Sequence, residues 1–95
     1  MTRYLTLLRF TEQGAKNIKD SPSRALAFKA EAGKAGVKVE GQYWTVGAYD
    51  GVLILSADDE SNVLHLLAGL ASKGNVRTET LRAFDEGEFA ALISS

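Results

Sequence analysis

Apolar and polar positions change their spacing several times along this chain, and the clearest stretch lies near its middle. Residues 52–55, Val-Leu-Ile-Leu, are apolar without interruption. A strand with no polar face has to be covered on both sides, which places it centrally in a sheet. The run at residues 43–46 before it is also β-prone, and the two flank Gly47-Ala48-Tyr49-Asp50-Gly51. Two glycines and an aspartate suit a short connection, so the pattern predicts a β-hairpin with Gly47 and Gly51 at positive φ.

The remaining elements follow in order. Residues 4–10 are rich in aliphatic and aromatic side chains and predict the first strand. Thr11 is placed to cap a short helix reaching about Lys19. Ser21-Pro22, a cap residue followed by proline, then starts a longer helix to residue 35. On its wheel Leu26, Ala30, Gly33 and Val37 form one stripe, and Ala25, Phe28, Ala32 and Ala35 a second. Arg24, Glu31 and Lys34 fill one gap between them, and Lys29 the other. Two stripes predict a helix packed on the sheet and touched by a second neighbour as well, either the C-terminal segment or another subunit. Gly36 ends it, and residues 37–46 form the next strand, with Gly41 marking a bulge or close approach.

After the hairpin, Asp58-Asp59-Glu60 sets acids at a helix start, where they complement the dipole. The helix over residues 62–72 carries Val63, Leu64, Leu66, Leu67, Leu70 and Ala71 on one broad face. Lys73-Gly74-Asn75 stops it, and residues 76–84 predict the last strand. Asp85 and Glu88 are spaced as a capping box for a terminal helix anchored by Phe89, Leu92 and Ile93. The order β-α-β-β-α-β predicts an α+β, ferredoxin-like sandwich with a short C-terminal helix. Right-handed crossovers put both main helices on one face of the sheet. The other face of residues 52–55 is then open, and a second copy packed sheet to sheet would cover it.

Composition changes the picture mainly by exclusion. At 95 residues there is room for one core and one domain, and residues 1–95 are read as such. The formal net charge of -1, spread along the chain, predicts no nucleic-acid surface. The absence of cysteine excludes disulfides and thiolate chemistry. No apolar run reaches the length of a membrane span and no signal-like segment opens the chain, so a cytoplasmic protein is expected.

Few residues suggest chemistry. His65 is the single histidine, and on the wheel it falls opposite the apolar face, which predicts a solvated residue. The acids at 58–60 lack the spaced histidines or cysteines of a metal set, so neither metal nor cofactor is expected. Tyr49 and Asp50 are sharper candidates: a phenol and a carboxylate at a hairpin end suit a polar ligand. The competing structural reading gives Asp50 to the amides of its own turn and packs Tyr49 on a neighbour. Arg3 and Arg82 are expected beside that hairpin end, as ion-pair partners for Asp50, with Arg77 at the far end of the sheet. Arg77 shares a strand face with Glu79 near the Thr11-Glu12 turn, suiting either an anionic ligand group or a solvated edge pair. Tyr43 and Trp44 must point to opposite faces, one to the helix side and one to the open side or a cavity rim.

The motifs Tyr43-Trp44-Thr45-Val46-Gly47-Ala48-Tyr49-Asp50, Phe10-Thr11-Glu12-Gln13-Gly14, Asn17-Ile18-Lys19-Asp20-Ser21-Pro22 and Gly74-Asn75-Val76-Arg77-Thr78-Glu79-Thr80 resemble the GYD domain family. So do Arg82-Ala83-Phe84 and Glu88-Phe89, and the resemblance spans nearly the whole chain in order. Ala48 and Ala57 depart from the acidic residue and the proline common at those positions. The resemblance implies a small bacterial or archaeal ferredoxin-like domain similar to the dimeric α/β-barrel proteins, in a family mostly without assigned chemistry. Two classes follow. One is a homodimeric module that binds a small molecule or a protein partner through a helix/sheet cavity, with Tyr43, Trp44, Tyr49, Asp50 and Arg77 as candidate ligand contacts. The other is a cofactor-independent enzyme of the dimeric barrel type acting on a small organic substrate.

Overall fold

The sheet sets the architecture, and the computed structural model describes it over residues 1–94. Strand β1 (Thr2–Phe10) is followed by a short helix α1 (Glu12–Lys16), a 3-10 turn at Ile18–Asp20 and helix α2 (Ser21–Lys34). Strands β2 (Lys38–Trp44) and β3 (Gly51–Ala57) form the hairpin. Helix α3 (Glu60–Ser72), strand β4 (Val76–Ala83) and helix α4 (Glu86–Ser94) complete the chain. The strands lie in the order β2-β3-β1-β4 and every neighbouring pair is antiparallel. This is the ferredoxin-like arrangement, with the apolar run of β3 next to the centre as its two-sided hydrophobicity requires.

The two faces of the sheet are unlike. Tyr4, Thr6, Leu53 and Leu55 point to the helices and are buried against Phe28, Ala32, Val63, Leu66 and Leu67. Alternation sends Leu5, Leu7 and Arg9 of β1 and Val52 and Ile54 of β3 to the other face. Register adds Tyr43, Arg77, Glu79 and Leu81 to that side. Among the described residues no helix lies over it, and Tyr43 and Leu81 are exposed. The molecule is correspondingly flat, 17 Å along its shortest axis.

The element ends obey local chemistry. Thr11 Oγ1 accepts from the Gly14 amide as the cap of α1, and Asp59 accepts from the Ser61 amide as the cap of α3. Asp85 and Glu88 form the reciprocal capping box, each carboxylate accepting from the other's backbone N–H at 2.8 and 3.0 Å. The β2–β3 register shifts between Val39 and Gly41, so the bulge falls beside the expected glycine.

Some expectations fail in instructive ways. Of the two stripes on α2, the one with Phe28 and Ala32 is buried, while Leu26 is exposed. Within the chain α2 packs on the sheet and meets α3 at its flank, and the stripe with Leu26 faces outward. Leu64 likewise turns outward, because Val63, Leu66 and Leu67 already fill the contact of α3 with the sheet. Gly47 has φ +122, but Gly51 does not take positive φ. Gly51 belongs to the first pair of β3, and a Cβ there would lie 3.0 Å from the Tyr43 carbonyl oxygen and 3.4 Å from Leu8. Close approach, not turn geometry, explains that glycine.

Candidate functional site

The site is built where the first helix turn, the hairpin and the start of β4 meet at one end of the sheet. Helix α1 is docked on the connection between α3 and β4. Thr11 donates to the Gly74 carbonyl at 2.6 Å and to the Asn75 carbonyl through its backbone N–H at 3.0 Å. Gln13 donates to the Lys73 carbonyl and the Asn75 side chain. Gly14 makes this docking possible, since a Cβ at that position would stand 1.9 Å from the Asn75 carbonyl oxygen. Behind this clamp a cavity of about 140 Å³ opens between α2 and the helix side of the sheet.

Its walls are mostly apolar: Leu8, Phe10, Phe28, Leu53, Leu70 and Val76. The polar groups around it are few, which is the usual make-up of a small-molecule pocket. Trp44 stands at the rim, half-exposed, and its indole N–H donates to Ser21 Oγ at 2.9 Å. That bond ties the end of β2 to the start of α2. Arg24, one turn further along α2, donates through Nη1 to the Asn17 carbonyl at 2.9 Å. Its Nη2 is buried and has no hydrogen-bond partner among the described residues. Lys73 closes the far side in an ion pair with Glu31 at 2.6 Å.

Asp50 also lines the cavity, and its carboxylate accepts from the Phe10 backbone N–H at 2.8 Å. The Asp50 amide in turn donates to the Leu8 carbonyl at 2.8 Å. The hairpin loop is therefore stitched to the end of β1. This differs from the expected closure of Asp50 on its own turn; that role belongs to Thr45, which donates to the Tyr49 and Asp50 carbonyls.

The expected neighbours of the hairpin are also corrected. Arg3 pairs with Glu40, Asp85 and Glu88 at the other end of β1, and Arg82 lies over the Tyr4 and Phe84 rings. Arginines 9 and 77 are the ones at the hairpin end, directly opposite each other across β1 and β4. The reason is direction: β3 and β4 both run antiparallel to β1, so both begin where β1 ends.

Tyr49 occupies this corner. Its hydroxyl donates to Glu79 at 2.7 Å, and the Arg9 guanidinium lies 4.6 Å from its ring centroid while donating to the Ala48 carbonyl. The hydrogen bond to Glu79 raises the phenol's pKa above its ordinary 10.0. Desolvation and the Glu79 charge push the same way and Arg9 opposes them. By strand alternation Tyr43 and Arg77 lie on the open face and Trp44 on the helix side. The five candidates thus divide: Trp44 and Asp50 stand at the cavity, and Tyr49 and Arg77 at the open-face corner, while Tyr43 belongs to the open face and contributes atoms to the cavity edge. His65 is exposed on α3. Among the described residues no group of three potential metal ligands comes together.

Ser21, Arg24 and Phe10 were missed as site residues. Ser21 looked like a helix cap, and Arg24 like filling between two stripes. The available signal was spacing, since Ser21, Arg24 and Phe28 recur at three and four residues and share one helix face.

The GYD domain family model matches residues 4–93, nearly the whole chain. The chain belongs to the GYD domain family. A Thermus thermophilus relative, named glutamine synthetase and cystathionine beta-lyase binding protein, is 33% identical over 94 residues. The match covers 98% of this chain and 99% of that relative. The crystal structure of a Thermus thermophilus protein superposes with a TM-score of 0.56 at 24% identity, covering 90% of this chain and 95% of the other. That likeness supports the ferredoxin-like fold of this GYD domain. The hairpin lies within the matched residues and carries Trp44, Tyr49 and Asp50 to the end of the sheet.

Proposed function

We propose that this GYD domain is a homodimeric binding protein whose partner is another protein, an enzyme surface of the kind named for its Thermus relative. The homodimer rests on the uncovered apolar sheet face, and the enzyme partner on the protein-binding name of the Thermus relative. Leu5, Leu7, Val52, Ile54, Tyr43 and Leu81 share a sheet face that no helix among the described residues covers. Helix α4, tied at its start to that face by Arg3, adds the exposed side chains Phe89, Leu92 and Ile93. A contiguous apolar surface of this kind on a small protein is characteristic of an interaction site. A second copy packed sheet to sheet buries the face and generates the dimeric α/β barrel.

The groups nearest to catalytic chemistry serve structure in this reading. The Asp50 carboxylate holds the Phe10 amide, and the Tyr49 hydroxyl is given to Glu79. The test is titration of the purified chain against its host's glutamine synthetase and cystathionine beta-lyase by calorimetry, with its mass followed by light scattering. Saturable binding of a dimer to either enzyme is expected. A monomer that binds neither would contradict the proposal.

A further inference from the structure

The unpartnered Arg24 nitrogen calls for an explanation that partner binding does not supply. A guanidinium N–H shut away from water without an acceptor is costly, and buried polar groups are normally satisfied. Here Nη1 is engaged by the Asn17 carbonyl while Nη2, buried, has no acceptor among the described residues. Three positions earlier, Ser21 Oγ accepts from Trp44. A hydroxyl both accepts and donates, so its proton remains to be given. Ser21 and Arg24 lie on one face of the first turn of α2, where the helix dipole adds positive potential. Both line the cavity, whose other walls are aliphatic and aromatic.

We propose that this cavity binds a small organic carboxylate with an apolar body. The carboxylate takes the Ser21 hydroxyl proton, and the Arg24 guanidinium, a cavity-lining cation, turns its covered Nη2 toward the second oxygen as the ligand enters. The apolar body lies among Phe10, Phe28, Leu53 and Leu70. Size limits the ligand: an apolar protein cavity of about 150 Å³ admits a benzene ring, so the 140 Å³ here suits one ring or a short branched chain. Charge limits it as well. Lys73 is neutralised by Glu31, and Asp50, whose carboxylate faces the Phe10 amide, disfavours a second negative group on the ligand. A monoanion is therefore the class that fits. The inference stands whether or not the chain docks on an enzyme.

Trp44 is the single tryptophan of the chain and sits at the rim, so its emission reports on the mouth of this cavity. The experiment titrates the protein with phenylacetate, neutral phenylacetamide and cationic 2-phenylethylamine, following Trp44 fluorescence and confirming by calorimetry. Phenylacetate is expected to saturate, with the amide at least tenfold weaker and the amine without effect. Arg24→Met should weaken phenylacetate at least tenfold and leave the amide within twofold. Should that variant fail to fold, Ser21→Ala gives the second arm, with phenylacetate weakened at least threefold. No saturable response to phenylacetate, equal affinity for acid and amide, or unchanged acid binding in the folded variant would each overturn the proposal.

Discussion

At the scale of single residues, Asp50 is the best test of whether this end of the molecule is structure or chemistry. Its carboxylate joins the hairpin loop to the end of β1. Asp50→Asn keeps an acceptor but loses the charge, so thermal or urea unfolding should show a loss on the order of 1–2 kcal/mol with the fold retained. Two glycines make sharper predictions. Gly47→Val, at φ +122, should cost about 1 kcal/mol or more in the same assay. Gly14→Ala should be worse, because the new Cβ meets backbone at Asn75, which has no flexible end to move aside. Sequence spacing pointed to Gly47 but not to Gly14, whose constraint comes from a chain segment about sixty residues away.

Tyr49 adds a pH prediction at the same scale. Its folded pKa lies above the ordinary 10.0, chiefly through the bond to Glu79. For a group raised on folding, the contribution is fully present below 10.0 and is lost as pH rises through the folded value. An absorbance titration of the tyrosines, compared with Tyr49→Phe, should show one phenol ionising late. Glu79→Gln should bring that transition down. Asp59 behaves oppositely: the Ser61 hydroxyl and amide hold its carboxyl below the ordinary 3.8. Its capping contribution is present above 3.8 and fades as pH falls through the lower folded value.

At the scale of elements, most of the chain was legible because local signals agree. Pro22 lies in the first turn of α2, although the cap position falls to Asp20 and not to the expected Ser21. Asp85 and Glu88 cap α4, and the unbroken apolar run lies beside the sheet centre. What the periodicity of α2 and α3 overstated was how much apolar surface a two-layer fold can cover, which left Leu26 and Leu64 outside. The site was less legible. Strand alternation separates Tyr43 from Trp44, but the arginines at the hairpin are Arg9 and Arg77 instead of the expected Arg3 and Arg82, because both neighbours of β1 begin where it ends. Helix α4 gives this scale its prediction. Its first turn is held by the capping box and Arg3. Glu88→Ala removes one half of the box and the Arg3–Glu88 pair, leaving the backbone bond to Asp85 Oδ1 and the Arg3–Asp85 pair, so amide exchange should accelerate across α4 while β1 and β3 keep their protection.

At the scale of the whole molecule, a single sheet with helices on one side leaves half of its apolar strands at the surface. In a 95-residue chain that surface is a large part of what could be buried. In the proposed dimer, pairing of two open faces would account for the two-sided hydrophobicity of β3. The most direct measurement is sedimentation equilibrium at micromolar concentration on the wild type and on Leu81→Lys. Leu81 is an exposed open-face residue that the monomer's core does not need. The account predicts a wild-type dimer and a folded variant whose dimer is weakened at least tenfold, whereas a wild type that sediments only as a monomer would contradict it.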